Sequence, residues 1–139
     1  MNIKIFNYDL PSDINLSDQD ELAIDCEAMG LVLGRDPLTL IQIGLKTQQF
    51  YLIKLNRNSY DAPNLKKVLS NKKTRFIMHY ARQDALWIKY HLNVDLQNIF
   101  CTKLASKIGR TASSYHGYKD LVKDLCVKDV SKKEQQSDW

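Results

Sequence analysis

Long apolar runs are missing from this 139-residue sequence: no stretch approaches the eighteen or so residues that a membrane helix needs. The opening residues Met1-Asn2-Ile3-Lys4-Ile5 offer neither an apolar signal core nor a small-residue cleavage site, which argues against export and for a cytoplasmic location. Cysteine is scarce and irregular. Cys26, Cys101 and Cys126 are odd in number and widely spaced, so they suit neither a disulfide framework nor a Cys-x-x-Cys site and read as buried thiols in a reducing compartment. Internal repeats and low-complexity linkers are absent too. The charge excess is small, 20 basic against 16 acidic residues for a net +4, which favours polyanionic partners without demanding them. What is left, 44% hydrophobic and 26% charged, is the composition of an ordinary soluble protein. The length suits a single domain over residues 1–139.

Within that domain, strand-length apolar and β-branched runs recur at 4–6, 22–27, 39–45, 49–55 and 74–79. The turn residues Gly34-Arg35-Asp36-Pro37 and the short link Lys46-Thr47-Gln48 predict that the first four form an antiparallel set. After Pro63 the period becomes helical. A first helix holds Leu65, Val68 and Leu69 on one face; a second, 81–92, carries the stripe Ala81, Ala85, Ile88 and Leu92; a third covers about 102–108 and stops at Gly109. The last has the clearest period, with Tyr118, Leu121, Val122, Leu125 and Cys126 at i, i+3, i+4, i+7 and i+8, and should pack on the sheet. Together these predict a mixed α/β domain whose core contains Leu22, Ile24, Ile41, Ile43, Ile77, Ala85, Ile88, Leu121 and Leu125. The polar tail 131–139 ends on Trp139, an unusual finish that leads us to expect further chain after it.

The chemistry concentrates in three carboxylates. Strand alternation in Leu22-Ala23-Ile24-Asp25-Cys26-Glu27 puts Asp25 and Glu27 on one face, opposite Leu22, Ile24 and Cys26. Two like charges side by side in a sheet repel unless a proton or a cation offsets them, and hard divalent ions such as Mg²⁺ select such oxygens. Acidic residues two apart on a solvated strand face are also common. Asp84 lies beside the apolar stripe of the second helix, where it should face the sheet edge and could share a cation with Asp25 and Glu27. Its position in a first helical turn is equally that of a carboxylate answering the helix dipole.

Two longer segments connect these acids. Ile24-Asp25-Cys26-Glu27-Ala28-Met29-Gly30-Leu31, with Arg35-Asp36 and Leu40-Ile41-Gln42-Ile43, resembles the first motif region of the ribonuclease D group of DEDD 3′-5′ exonucleases. Phe76 through Asp84 resembles the second motif. Cys101-Thr102-Lys103-Leu104-Ala105-Ser106, His116-Gly117-Tyr118-Lys119-Asp120-Leu121 and Gln135-Gln136-Ser137-Asp138-Trp139 resemble stretches of the bacterial branch, in the same order.

The resemblance implies a ribonuclease H-like fold in which Asp25, Glu27 and Asp84 are catalytic and bind two divalent cations, Mg²⁺ or Mn²⁺, at RNA 3′ ends, transfer RNA precursors among them. It implies release of nucleoside 5′-monophosphates, one ion activating the attacking water and the other stabilising the leaving 3′ oxygen. Met29, His79 and Arg82 are the nucleic-acid contacts it suggests. The family also uses a third motif, Tyr-x-x-x-Asp, after the region resembling Ser137-Asp138-Trp139; Tyr80-x-x-x-Asp84 has that spacing but occupies the second-motif position. We therefore expect an exonuclease domain incomplete at its C-terminus, without its last helix or helices. Its activity would be impaired, and its exposed apolar surface would favour self-association or a separately encoded C-terminal fragment. The alternative is a catalytically inactive remnant that binds nucleic acid or a protein.

Overall fold

The computed structural model describes residues 2–130. Six strands form one mixed sheet: β1 (Asn2–Asn7), β2 (Glu21–Ala28), β3 (Leu38–Gly44), β4 (Gln49–Lys54), β5 (Arg75–Met78) and β6 (Ile99–Cys101). Their spatial order is β1-β4-β3-β2-β5-β6. Four helices accompany them: α1 (Pro63–Leu69), α2 (Arg82–Leu92), α3 (Thr102–Gly109) and α4 (Tyr118–Cys126). The expected hairpins are present, β2 with β3 and β3 with β4 antiparallel. The expected antiparallel set is corrected at one strand, because β1 runs parallel to β4. A long connection, 8–20, separates β1 from β2, so β1 is free to close the far edge in either direction.

Alternation decides which face is buried. Leu22, Ile24, Ile41, Ile43, Tyr51, Ile53, Phe76 and Met78 enter one core together with Leu65, Val68 and Leu69 of α1 and Trp87, Ile88 and Leu92 of α2. Both helices therefore lie on the same face of the sheet. Pro63 opens α1, where its missing N–H costs nothing, and the carboxylate of Asp9 accepts the free N–H groups of Asn64 and Leu65 at 2.9 and 2.8 Å. Asn93, in the left-handed region, ends α2. No helix among the described residues is long and apolar enough to cross a membrane.

The opposite face is more open. One register row crosses all six strands there, Ile3–Phe50–Gly44–Ala23–Ile77–Phe100, and none of its members is fully buried. Ile77 belongs to this row, which corrects its expected place in the core: Phe76 and Met78, its neighbours, point inward instead. Ala85 is only half-buried, its stripe being completed by Trp87. On α4 only Leu121 is buried; Leu125 is 68% exposed, and Tyr118 and Cys126 are exposed as well. Cys26 and Cys101 are half-buried rather than buried. The tail 131–139, with its resemblance to the bacterial branch, lies outside the described residues.

Candidate active site

Strand β5 pairs with β2 only from Glu21 to Ala23, so the rest of β2 has a free edge facing the start of α2. The chain leaves β5, turns through His79 and Tyr80, the latter at φ +63°, and enters α2 at Arg82. That turn brings Asp84 back against β2, where its Oδ1 accepts the N–H of Cys26 at 3.1 Å. A side-chain oxygen thus takes the place of a strand carbonyl, between the residues that carry the other two acids. The first turn of a helix is also where a carboxylate is favoured by the peptide dipoles.

The three acids feel one another. Burial, and next the charge of Asp25, push the Asp84 carboxyl up to about 6. Glu27 is raised by burial, then by Asp25 and Asp84, and Asp25 is raised by burial. The thiol of Cys26, on the side of β2 opposite Asp25 and Glu27, is pushed well up by its withdrawal from water and then by the charges of Asp84, Asp25 and Glu27, which disfavours the reactive thiolate.

Neighbouring residues fix the pair on β2. Gln42 stands opposite Asp25 in the β2–β3 register, and its Nε2 donates to Asp25 Oδ2 at 3.4 Å and to Glu27 Oε1 at 3.2 Å. The register slips by a bulge between Glu27 and Ala28, and the Thr39 hydroxyl donates to the Glu27 carbonyl at 2.9 Å. Bulges of this kind re-aim side chains. Beyond it the chain turns at Gly30, φ +143°, where any Cβ would run into the Asp36 carboxylate. Asp36 is buried and held by Arg35 and by the Val32 N–H.

The suggested nucleic-acid contacts surround this group without entering it. Met29, 48% exposed, follows β2, with Arg57 Nη1 2.7 Å from its sulfur. His79 shares a hydrogen bond with the Thr102 hydroxyl at 2.9 Å and meets the Tyr118 ring edge-on; burial and then Lys103 lower its pKa. Arg82 is exposed and borders an apolar groove of about 970 Å³ between α2, β6 and α3. Lys103 Nζ lies 4.1 Å from the centre of the Tyr80 ring, which lines that groove. Sequence reasoning named Gln42 only as part of a motif. The available signal was a polar residue in the otherwise apolar run Leu40–Ile43, which pairing puts beside Asp25.

Among the described residues no three His, Cys, Asp or Glu side chains form a ready-made cage for a metal ion. Gln42 engages both acids of β2, and the Cys26 N–H engages Asp84. The donor chemistry nonetheless fits a hard divalent cation. All three groups are carboxylates, partly withdrawn from water, and each is raised in pKa, chiefly by that withdrawal.

A family model described as 3′-5′ exonuclease matches residues 4–139. The chain belongs to the 3′-5′ exonuclease family. Brucella melitensis NrnC bound to pGG superposes on this exonuclease domain with a TM-score of 0.90 and 33% identity, covering 99% of this chain and 66% of that one. The same protein with bound Mg²⁺ gives 0.90 and 31%, covering 100% and 69%. Protein RRP6-like 2 of Arabidopsis thaliana is 23% identical over 120 residues, 86% of this chain and 14% of that protein, so the domain spans a small part of its curated relative. Escherichia coli RNase D, at TM-score 0.70 and 22% identity over 88% of this chain and 32% of that one, shares the fold. The mixed sheet is the ribonuclease H-like sheet of these exonucleases.

Proposed function

We propose that this domain removes nucleotides from RNA 3′ ends by hydrolysis and releases nucleoside 5′-monophosphates. The observation that carries this reading is the seat of Asp84, hydrogen-bonded onto β2 between Asp25 and Glu27, in a chain of the exonuclease family. Asp25, Glu27 and Asp84 would hold divalent cations, two by family resemblance; when bound, such ions make water a stronger nucleophile at neutral pH and offset charge at the phosphate. The protein's own groups supply placement. Water adds to phosphorus at the last phosphodiester, the bond from phosphorus to the upstream 3′ oxygen breaks, and that oxygen ends as a hydroxyl. Met29, exposed where β2 ends, offers an apolar contact to the terminal base. His79, fixed by Thr102 and Tyr118, and Arg82 at the start of α2 face phosphates.

The pGG held by Brucella NrnC makes pGG the first substrate to try. The assay follows nucleoside monophosphates released from pGG and from a 3′-labelled RNA with Mg²⁺ or Mn²⁺. It uses the 139 residues alone and with a segment carrying Tyr-x-x-x-Asp, which these residues do not contain beyond Asp84. The expected result is slow metal-dependent release, faster with the added segment and abolished by Asp25→Ala. No release under either condition would favour an inactive binding domain.

A further inference from the structure

Strand β3 is apolar from Leu38 to Ile43 apart from Thr39 and Gln42. Thr39 serves the Glu27 backbone. Gln42 reaches instead between two carboxylates on the neighbouring strand, with one nitrogen near an oxygen of each. An amide nitrogen carries two hydrogens, so a single Gln can donate to both acids at once. We propose that Gln42 is a positioning residue of the carboxylate site, fixing one oxygen of Asp25 and one of Glu27 on its amide so that the other oxygen of each is presented jointly to a divalent cation. This rests on the proposed function for what the cation is used for, but not for the bridge itself.

The choice of side chain supports it. An apolar residue of similar size would leave both acids to find their own rotamers against each other's repulsion. A lysine at the same place would satisfy both acids with a full positive charge and compete with the cation. A neutral amide donor orients them and leaves their charge for the ion. The bulge at Glu27–Ala28 and the Thr39 bond hold the Glu27 backbone, which leaves Gln42 to set the side chain. Partners that orient ligating carboxylates typically change metal affinity by about 10–100-fold when removed.

The test uses the whole chain with Gln42→Leu and Gln42→Lys. Mn²⁺ alone is titrated and the free ion followed by electron paramagnetic resonance. Gln42→Leu should weaken Mn²⁺ binding about 10–100-fold, with RNA cleavage partly regained as Mn²⁺ is raised, and Gln42→Lys should abolish binding. In chelator, Gln42→Leu should lower the urea midpoint of the wild type and leave unchanged that of an Asp25→Ala/Glu27→Ala background, whereas Gln42→Lys should unfold at or above the wild-type midpoint. Wild-type Mn²⁺ affinity in Gln42→Leu, or the same loss of midpoint in both backgrounds, would overturn the proposal by making Gln42 a packing residue. If the wild type itself binds no Mn²⁺, the proposed function fails, and the background dependence of the urea midpoint still decides whether Gln42 holds the pair.

Discussion

Asp84 is where chemistry and stability pull apart. Its carboxyl is raised from 3.8 to about 6, so the folded chain holds this proton more tightly than the unfolded chain does. Its contribution to stability therefore falls as pH rises from about 4 to about 6, and stays low above that. Asp25 and Glu27 act in the same direction. Asp36 acts in the opposite one: the Arg35 side chain, then the Val32 N–H, lower it to about 2, so its stabilisation is present above about pH 4 and is lost as pH falls towards 2. In chelator the urea midpoint should peak near pH 4–5 as far as these groups decide it. Asp84→Asn keeps an acceptor for the Cys26 N–H and removes the charge. The rise from 3.8 to about 6 corresponds to roughly 3 kcal/mol, which we discount to about 1–2 kcal/mol of added stability at pH 7 for a partly exposed group. Denaturant unfolding without metal checks this, and the variant should lose cleavage at the same time. A destabilised Asp84→Asn would mean that the site is not short of positive charge. Asp25 and Glu27 were legible because alternation is local. The hydrogen bond that seats Asp84 was not, because it depends on β5 ending three residues into its pairing with β2, a matter of chain length rather than residue type.

Among the elements, strands and helices were read where period and turn residues agreed, and misread where the partner surface was the unknown. Helix α4 has a perfect apolar period, yet only Leu121 is buried, because period reveals an apolar face and not what covers it. Strand β6, three residues long, carries too little pattern to be seen. The direction of β1 depends on a long connection that no local rule fixes. Substitution should separate these cases. Ile24→Ala, in the packed core, should cost about 2–5 kcal/mol, while Leu125→Ala should stay within about 0.5 kcal/mol. Equal costs by urea denaturation would mean that α4 packs as its period suggests. Gly30→Ala should cost roughly 1–3 kcal/mol, since it combines a left-handed backbone with a collision against Asp36. It should also lower activity by shifting Met29, which circular dichroism and the cleavage assay would read together.

At the scale of the whole molecule, both the charge and the open sheet face bear on the partner. A net +4 on 139 residues supports only a few phosphate contacts, so RNA binding should be weak and should fall steeply between 50 and 200 mM salt (about tenfold or more for even two or three contacts), as fluorescence anisotropy would show. Salt-independent, tight binding would point to stacking on exposed rings such as Tyr80 and Phe100 instead. Asp25 and Glu27 lie on the open face, beyond the row of Ala23 and Gly44, and Asp84 meets β2 at its free edge, so a substrate end can reach them without the core opening. The proposed function stands on Asp25, Glu27 and Asp84 acting as one cation site. The direct measurement is Mn²⁺ binding to the wild-type chain and to Asp25→Ala, Glu27→Ala and Asp84→Ala at pH 7.5. The wild type should bind saturably, and binding should weaken by about tenfold or more in each variant, since removing a carboxylate removes both a ligand and a charge. Binding that is unchanged in all three variants, or absent from the wild type, would contradict it.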